Sequence, residues 1–159
     1  MSIQQVTTQA RAENELDMTK DQAADLKDRL KDDVSSVKSA AKAGVDQVKT
    51  AGKDAVKQAK TEAEIARDRA NDEVRMAKKY ADDSYGGRTV QAAKDRLSAV
   101  KDEGKAYVKE VKADVKAAEK TAKAEKDKLV AQAKAKADSG KAMADAAVDK
   151  AKAKLDAVD

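Results

Sequence analysis

The chain has 159 residues, with 34 Lys/Arg against 30 Asp/Glu, a net charge of +4 and a charged share of 40%. It contains no Cys, His, Pro, Trp or Phe, which excludes disulfides, thiol nucleophiles, imidazole bases and thiolate or imidazole metal sites. The hydrophobic share is 41%, but more than half of it is alanine, so a compact core of large side chains, each worth about 1.5–3 kcal/mol when buried, is excluded as well.

Ordering each residue costs about 1.5 kcal/mol, and alanine returns little buried area against it. A lone copy is therefore expected to be conditionally disordered in dilute water. The elements it does form are expected to be helical, because Ala, Lys, Glu, Gln, Arg and Leu dominate and are strong helix formers. No apolar run approaches the ~20 residues of a membrane span. The opening MSIQQVTTQARAENELD has no apolar run of the secretory kind. The expected location is cytoplasmic.

Residues 1–20 begin an apolar stripe at Ile3, Val6 and Ala10, which Glu13 and Asp17 then interrupt. This segment is expected to fray, with Thr19 and Gln22 as a capping box at the start of the first true helix. That helix is expected over 21–84. Its apolar positions run Leu26, Leu30, Val34, Val37, Ala41, Val45, Val48, Gly52, Val56, Ala59, Ala63, in steps of 4, 4 and 3. Eleven residues in three turns keep a stripe nearly straight or give it a weak right-handed drift. The repeat is visible directly: VKSAAKAGVDQ (37–47) and VKTAGKDAVKQ (48–58) share V-K-x-A-x-K-x-x-V-x-Q. AKTEAEIARDR and ANDEVRMAKKY follow as looser copies. Such internal repetition belongs to an extended, quasi-one-dimensional structure. Lys38 and Lys42 border the narrow apolar arc, where their stems can lie along it.

Gly86 and Gly87 follow Asp82-Asp83-Ser84-Tyr85, and Thr89 is placed to cap what comes next. Glycine is favoured just past a helix end and threonine at a helix start. The expectation is a glycine turn at 85–88, hinged on Gly86 and Gly87, that folds two long helices into an antiparallel hairpin. The alternative is one continuous helix softened by the glycines, since Ala81, Tyr85 and Ala92 or Ala93 stay nearly in phase. The second helix is expected over 89–159. Its stripe runs Val90, Ala93, Leu97, Val100, Val108, Val111, Val115, Ala118, Ala122, Leu129, Ala133, Ala137, Ala144, Val148, Ala151 and Leu155. Gly104 and Gly140 read as weak points within it. Pairs such as Asp25/Arg29 and Glu119/Lys123 add a few tenths of a kcal/mol each to helix formation. The fold class is thus all-α: long amphipathic helices with eleven-residue periodicity.

At TVQAAKDRLSA, residues 89–99, the chain resembles the eleven-residue motif of group 3 late embryogenesis abundant proteins, whose consensus is near TAQAAKEKAGE. Thr89, Gln91, Ala92, Ala93 and Lys94 match it, and Asp95 and Arg96 are conservative replacements. DAVKQAKTEAE and KAAEKTAKAEK are related windows. The resemblance covers most of 26–159 in style. It implies a desiccation or stress protectant that is largely disordered in water, helical when dried, and able to shield membranes or other proteins. The valine content, the Gly-Gly break and the irregular start depart from the family pattern.

The contact surface expected from the stripe is Val37, Val45, Val48, Val56, Val74, Val100, Val108, Val111 and Val115. Its expected partners are anionic lipid surfaces or client proteins. A second class of reading is a helical coat or filament subunit, with further copies of the chain as partners. Nucleic acid is not expected at the Lys-rich stretch 112–154, because acids such as Asp114, Glu119 and Glu125 are interleaved with the lysines. Asp82 and Asp83 lack the spacing of a calcium loop, so no metal is expected there. No cofactor and no catalysis are expected, since nothing marks a pocket that would desolvate a carboxylate pair.

Overall fold

The computed structural model describes residues 3–81 and 86–157. Two helices account for nearly all of them: α1, Ile3–Lys79, of 77 residues, and α2, Gly86–Asp156, of 71 residues. No strand occurs among the described residues. The all-α class expected from composition and periodicity is found.

The chain divides into two compact units, 45–123 and the pair of outer segments 1–44 and 124–159. Each is a stretch of α1 running antiparallel to a stretch of α2. In the unit 45–123 the partners descend along α2 as they climb α1: Gly52 meets Val115, Ala63 meets Gly104, and Glu73 meets Arg96. In the other unit Glu15 meets Lys154, Lys27 meets Asp145, and Leu30 meets Gly140. Neither ladder slips by a turn. The antiparallel pairing expected from a helical hairpin is thus present in each unit, and the reading of one continuous helix is set aside.

The seam follows the stripe. In the unit 45–123, α1 turns inward Val45, Val48, Gly52, Val56, Ala59, Ala63, Ala70 and Val74, and α2 turns inward Val100, Gly104, Val108, Val111 and Val115. The 4, 4, 3 spacing explains why: it brings the same narrow face round every three turns without drifting off the partner. Small residues then set the depth of contact. Among the described residues nine hydrophobic side chains are buried, and six of them are alanine, with Leu16, Val45 and Val74 larger.

Three boundaries differ from expectation. First, α1 begins at Ile3, so the segment expected to fray is helical in its described part, and Leu16 is buried at 7% exposure. Glu13 and Asp17 do not break the stripe. The inward face runs through Ala12, Leu16, Thr19 and Ala23, which leaves both acids exposed. Thr19 caps nothing. Its Oγ1 donates to the Glu15 carbonyl at 2.7 Å, the i−4 bond of a mid-helix threonine. Second, α1 ends at Lys79, with Lys78 and Lys79 in its last turn where they complement the helix dipole. Third, α2 begins at Gly86, so Gly86, Gly87 and Arg88 of the expected turn are helical, and Thr89 lies within the opening turn. The first amides of a helix have no intrahelical partner in any case, so glycine costs least there. The acidic pair Asp82 and Asp83 lies outside the described residues, as does Tyr85.

Candidate functional site

All nine valines of the expected contact surface point into a seam. Val45 and Val74 are buried, at 6% and 9% exposure, and Val37, Val48, Val56, Val100, Val108, Val111 and Val115 are half-buried. Eight of them belong to the unit 45–123, and Val37 belongs to the other. The stripe is therefore occupied by the chain's own second helix. Leu26, Ala118 and Leu129, also assigned to the stripe, lie at its edge and are exposed; Lys27, Glu119 and Val130 take the inward positions. A long charged side chain tolerates such a place because its stem can pack while its head stays in water.

Three glycines of the seams leave little or no room for a side chain. A Cβ built on Gly52 would collide with the Val115 side chain, and one on Gly140 would lie 2.6 Å from Leu30 Cδ1. One on Gly104 would stand 3.1 Å from the Ala63 Cβ. Gly104 and Gly140 are thus contact points and not weak points. Their register shows it: Gly104 stands four residues from both Val100 and Val108, and Gly140 three from Ala137 and four from Ala144. Gly44 has nothing within 4 Å of such a Cβ and is the one spectator among these four.

Two kinds of groove run beside the seams. In the unit of outer segments, a groove of about 470 Å³ is lined by Leu30, Val34 and Val37 from α1 and Leu129, Ala133 and Ala137 from α2. In the unit 45–123, grooves of about 400 and 280 Å³ have Ala63, Gly104, Val100 and Val108 as walls and Lys60, Lys105 and Lys109 among their rims. The opposite edge of that unit is acidic. There Tyr107 faces Glu62, and its phenol is raised above 10.0, first by the charge of Glu62, with partial desolvation, the polar contact to Glu62 and the charge of Glu110 adding to it.

The motif at 89–99 is divided between seam and surface. Val90, Ala93 and Leu97 face inward, Gln91 Nε2 donates to Asp95 Oδ1 at 2.8 Å, and Arg96 reaches Glu73 of α1 at 3.5 Å. Among the described residues no group of three or more acidic side chains is placed to hold a metal ion. No described helix is long and apolar enough to cross a membrane. No family model matches the chain, and no curated protein or solved structure is significantly similar to it.

Proposed function

We propose that this chain is a stress protectant that shields membranes and proteins during water loss, folding into its paired amphipathic helices as water activity falls. The observation that carries the reading is the seam itself: a long apolar stripe closed on the chain's own second helix by alanine, valine and glycine. Among the described residues, six of the nine buried side chains bring only a methyl group each. Contacts that shallow hold helices together weakly in dilute buffer, where backbone amides find water as readily as each other. When water is withdrawn an unpaired amide becomes expensive, and the helix with its stripe is the state that remains. The stripe then pairs with itself or meets a client or a lipid surface. The resemblance at residues 89–99 to group 3 late embryogenesis abundant proteins supports the same reading.

A test is to dry a desiccation-sensitive enzyme in lipid-free buffer with and without this chain, and to follow far-ultraviolet circular dichroism of the chain in solution and in the dried film. Protection together with a steep rise in helix on drying supports the proposal. Full helix in dilute buffer at every concentration, with no protection, refutes it.

The second reading, a coat or filament subunit, draws on the surface left exposed and on the open apolar groove at Leu129, which is 50% exposed. Helix content that rises with protein concentration in buffer is its signature.

A further inference from the structure

We propose that the unit 45–123 docks, with its helices closed, on the face of an anionic lipid bilayer through the lysine-lined edge beside its seam. The inference rests on the protective reading for its biological purpose, and on this edge alone for its chemistry. It needs no opening of the stripe.

Charge is unevenly divided between the two units. Residues 45–123 hold nineteen Lys/Arg against fifteen Asp/Glu, and the outer segments hold fifteen against fifteen. The whole net charge of +4 therefore belongs to one unit. Within that unit it is gathered on one side. Lys60 and Arg67 from α1 and Lys101, Lys105, Lys109 and Lys112 from α2 line two adjoining grooves, with Glu64 as their one carboxylate. Steps of three and four keep residues on one helical border. Lys94 and Lys116 extend the α2 row by that rule, and Lys53 and Lys57 extend the α1 row. All of these side chains are exposed. Lys105 pairs with Asp102 at 3.6 Å and Arg67 with Asp68 at 3.1 Å, whereas Lys60, Lys101, Lys109 and Lys112 make no ion pair among the described residues.

A second set of acids lines the other edge, while Glu64, Asp68 and Asp102 stay beside the basic one. Glu62 and Glu110 surround Tyr107, and Glu73 holds Arg96. Glu103 and Asp114 fall four residues before Tyr107 and four after Glu110, on the same border of α2. Interleaved in sequence, the lysine row and this set of acids are separated in space.

A one-sided row of ammonium groups suits a planar anionic face, with that second set of acids turned away from it. Lysine stems can rest on Val100, Val108 and Ala63 while their heads reach lipid phosphates. Each basic residue near such a surface strengthens binding about fivefold. Single-stranded nucleic acid fits less well, since its binding draws on aromatic platforms and Tyr107 sits on the acidic edge. A second copy fits less well too, because exposed ion pairs are individually weak and its matching unit carries the same positive excess.

The test is co-sedimentation of the full chain, at a protein concentration and water activity where circular dichroism shows its helices formed, with vesicles of phosphatidylcholine, with and without one third phosphatidylserine. Binding is expected only with phosphatidylserine, and it should weaken steeply with added salt. The variant Lys105→Gln, Lys109→Gln, Lys112→Gln should lose roughly a hundredfold in affinity. The control Lys128→Gln, Lys136→Gln, Lys150→Gln removes the same charge from the neutral unit and should lose no more than about fivefold. Circular dichroism of both triples secures their helix content. Equal losses in the two triples, equal binding to both vesicles, or binding to duplex DNA with none to vesicles each overturn the proposal. A chain that docks as described yet protects nothing on drying refutes the protective reading and leaves the edge standing. A chain that protects in lipid-free films but ignores phosphatidylserine refutes the edge alone.

Discussion

Replacing glycine by alanine inside a helix ordinarily stabilises it by about 0.8–1.0 kcal/mol, through helix propensity alone. Four glycines lie deep inside α1 and α2, and none of the described glycines adopts a positive φ. The propensity gain is therefore the same at Gly44, Gly52, Gly104 and Gly140. The surroundings are not. At Gly44 the new methyl meets nothing, so Gly44→Ala should gain the full ~1 kcal/mol. At Gly104 it meets the Ala63 Cβ at 3.1 Å, a contact that a few tenths of an ångström relieve, and the change should be close to neutral. At Gly140 it would press on Leu30 Cδ1, the far end of a side chain that can turn aside; a small net loss is expected. At Gly52 it runs into Val115, whose branch sits at Cβ and whose χ1 is stiff in a helix. There the helices themselves must part. Overpacking of this kind costs about 1–3 kcal/mol, which after the propensity gain leaves Gly52→Ala destabilised by roughly 0–2 kcal/mol.

The assay is urea unfolding followed by circular dichroism, at a protein concentration where helix is present. The order of midpoints, highest first, should be Gly44→Ala, then Gly104→Ala, Gly140→Ala and Gly52→Ala. A chain of unpaired helices has no Val115 opposite Gly52, so all four substitutions would then raise helix content alike. Should Gly52→Ala stabilise as much as Gly44→Ala, the close-packed seam is refuted, whatever the total helicity.

The same seam and its acidic edge can each be probed separately. Val48→Asp with Val111→Asp puts two carboxylates into half-buried places: each substitution forfeits about 1 kcal/mol of apolar burial and adds about 1–3 kcal/mol for a poorly satisfied polar group. The urea midpoint should collapse, and an unchanged midpoint would show that the stripe is not self-paired in solution. Tyr107 should ionise above 10.0, and Glu62→Gln should bring it back toward that value by removing its largest cause. This is readable as phenolate absorbance in a chain carrying Tyr80→Phe and Tyr85→Phe. A raised folded-state value means the neutral phenol is favoured when the helices are paired. Its contribution to stability is thus fully present below 10.0 and is lost as pH rises through the raised value. A Tyr107 that titrates identically with and without Glu62 would separate α1 from α2 at that point.

Much of the architecture is legible in the sequence because one rule, the 4, 4, 3 spacing, fixes both the helix and its inward face. Val45, Val48, Gly52, Val56 and Ala59 follow from spacing alone, and all of them face the seam. The rule fails where two neighbours compete for one inward place. Hydropathy or size favours Leu26 over Lys27 and Leu129 over Val130, but backbone phase decides which side chain faces in. Helix ends are the other loss. Thr19 and Thr89 are good caps by type, yet a threonine inside a helix can satisfy its hydroxyl on the i−4 carbonyl, as Thr19, Thr50, Thr61 and Thr121 all do. A cap residue is thus a weak stop signal in a chain without proline. Gly104 and Gly140 mislead for a related reason: glycine lowers helix propensity, and only the partner helix reveals what its missing side chain makes room for.

The separation of charge is the feature least visible along the chain and most dependent on the fold. In α2, Lys101, Lys105, Lys109 and Lys112 alternate with Glu103, Tyr107 and Glu110, so a count over any short window reads nearly neutral. Helical phase sends the first set to one border and the second to the other. Pairing with α1 then doubles each border, because Lys60 and Arg67 join the lysines while Glu62 joins Tyr107. A single amphipathic helix with this sequence would carry lysines and acids on the two sides of one narrow stripe. Two such helices closed on that stripe hide it and keep the two edges. Along those two edges the closed unit therefore presents mainly charge, with Ile65, Met76 and Tyr107 among its exposed large apolar side chains.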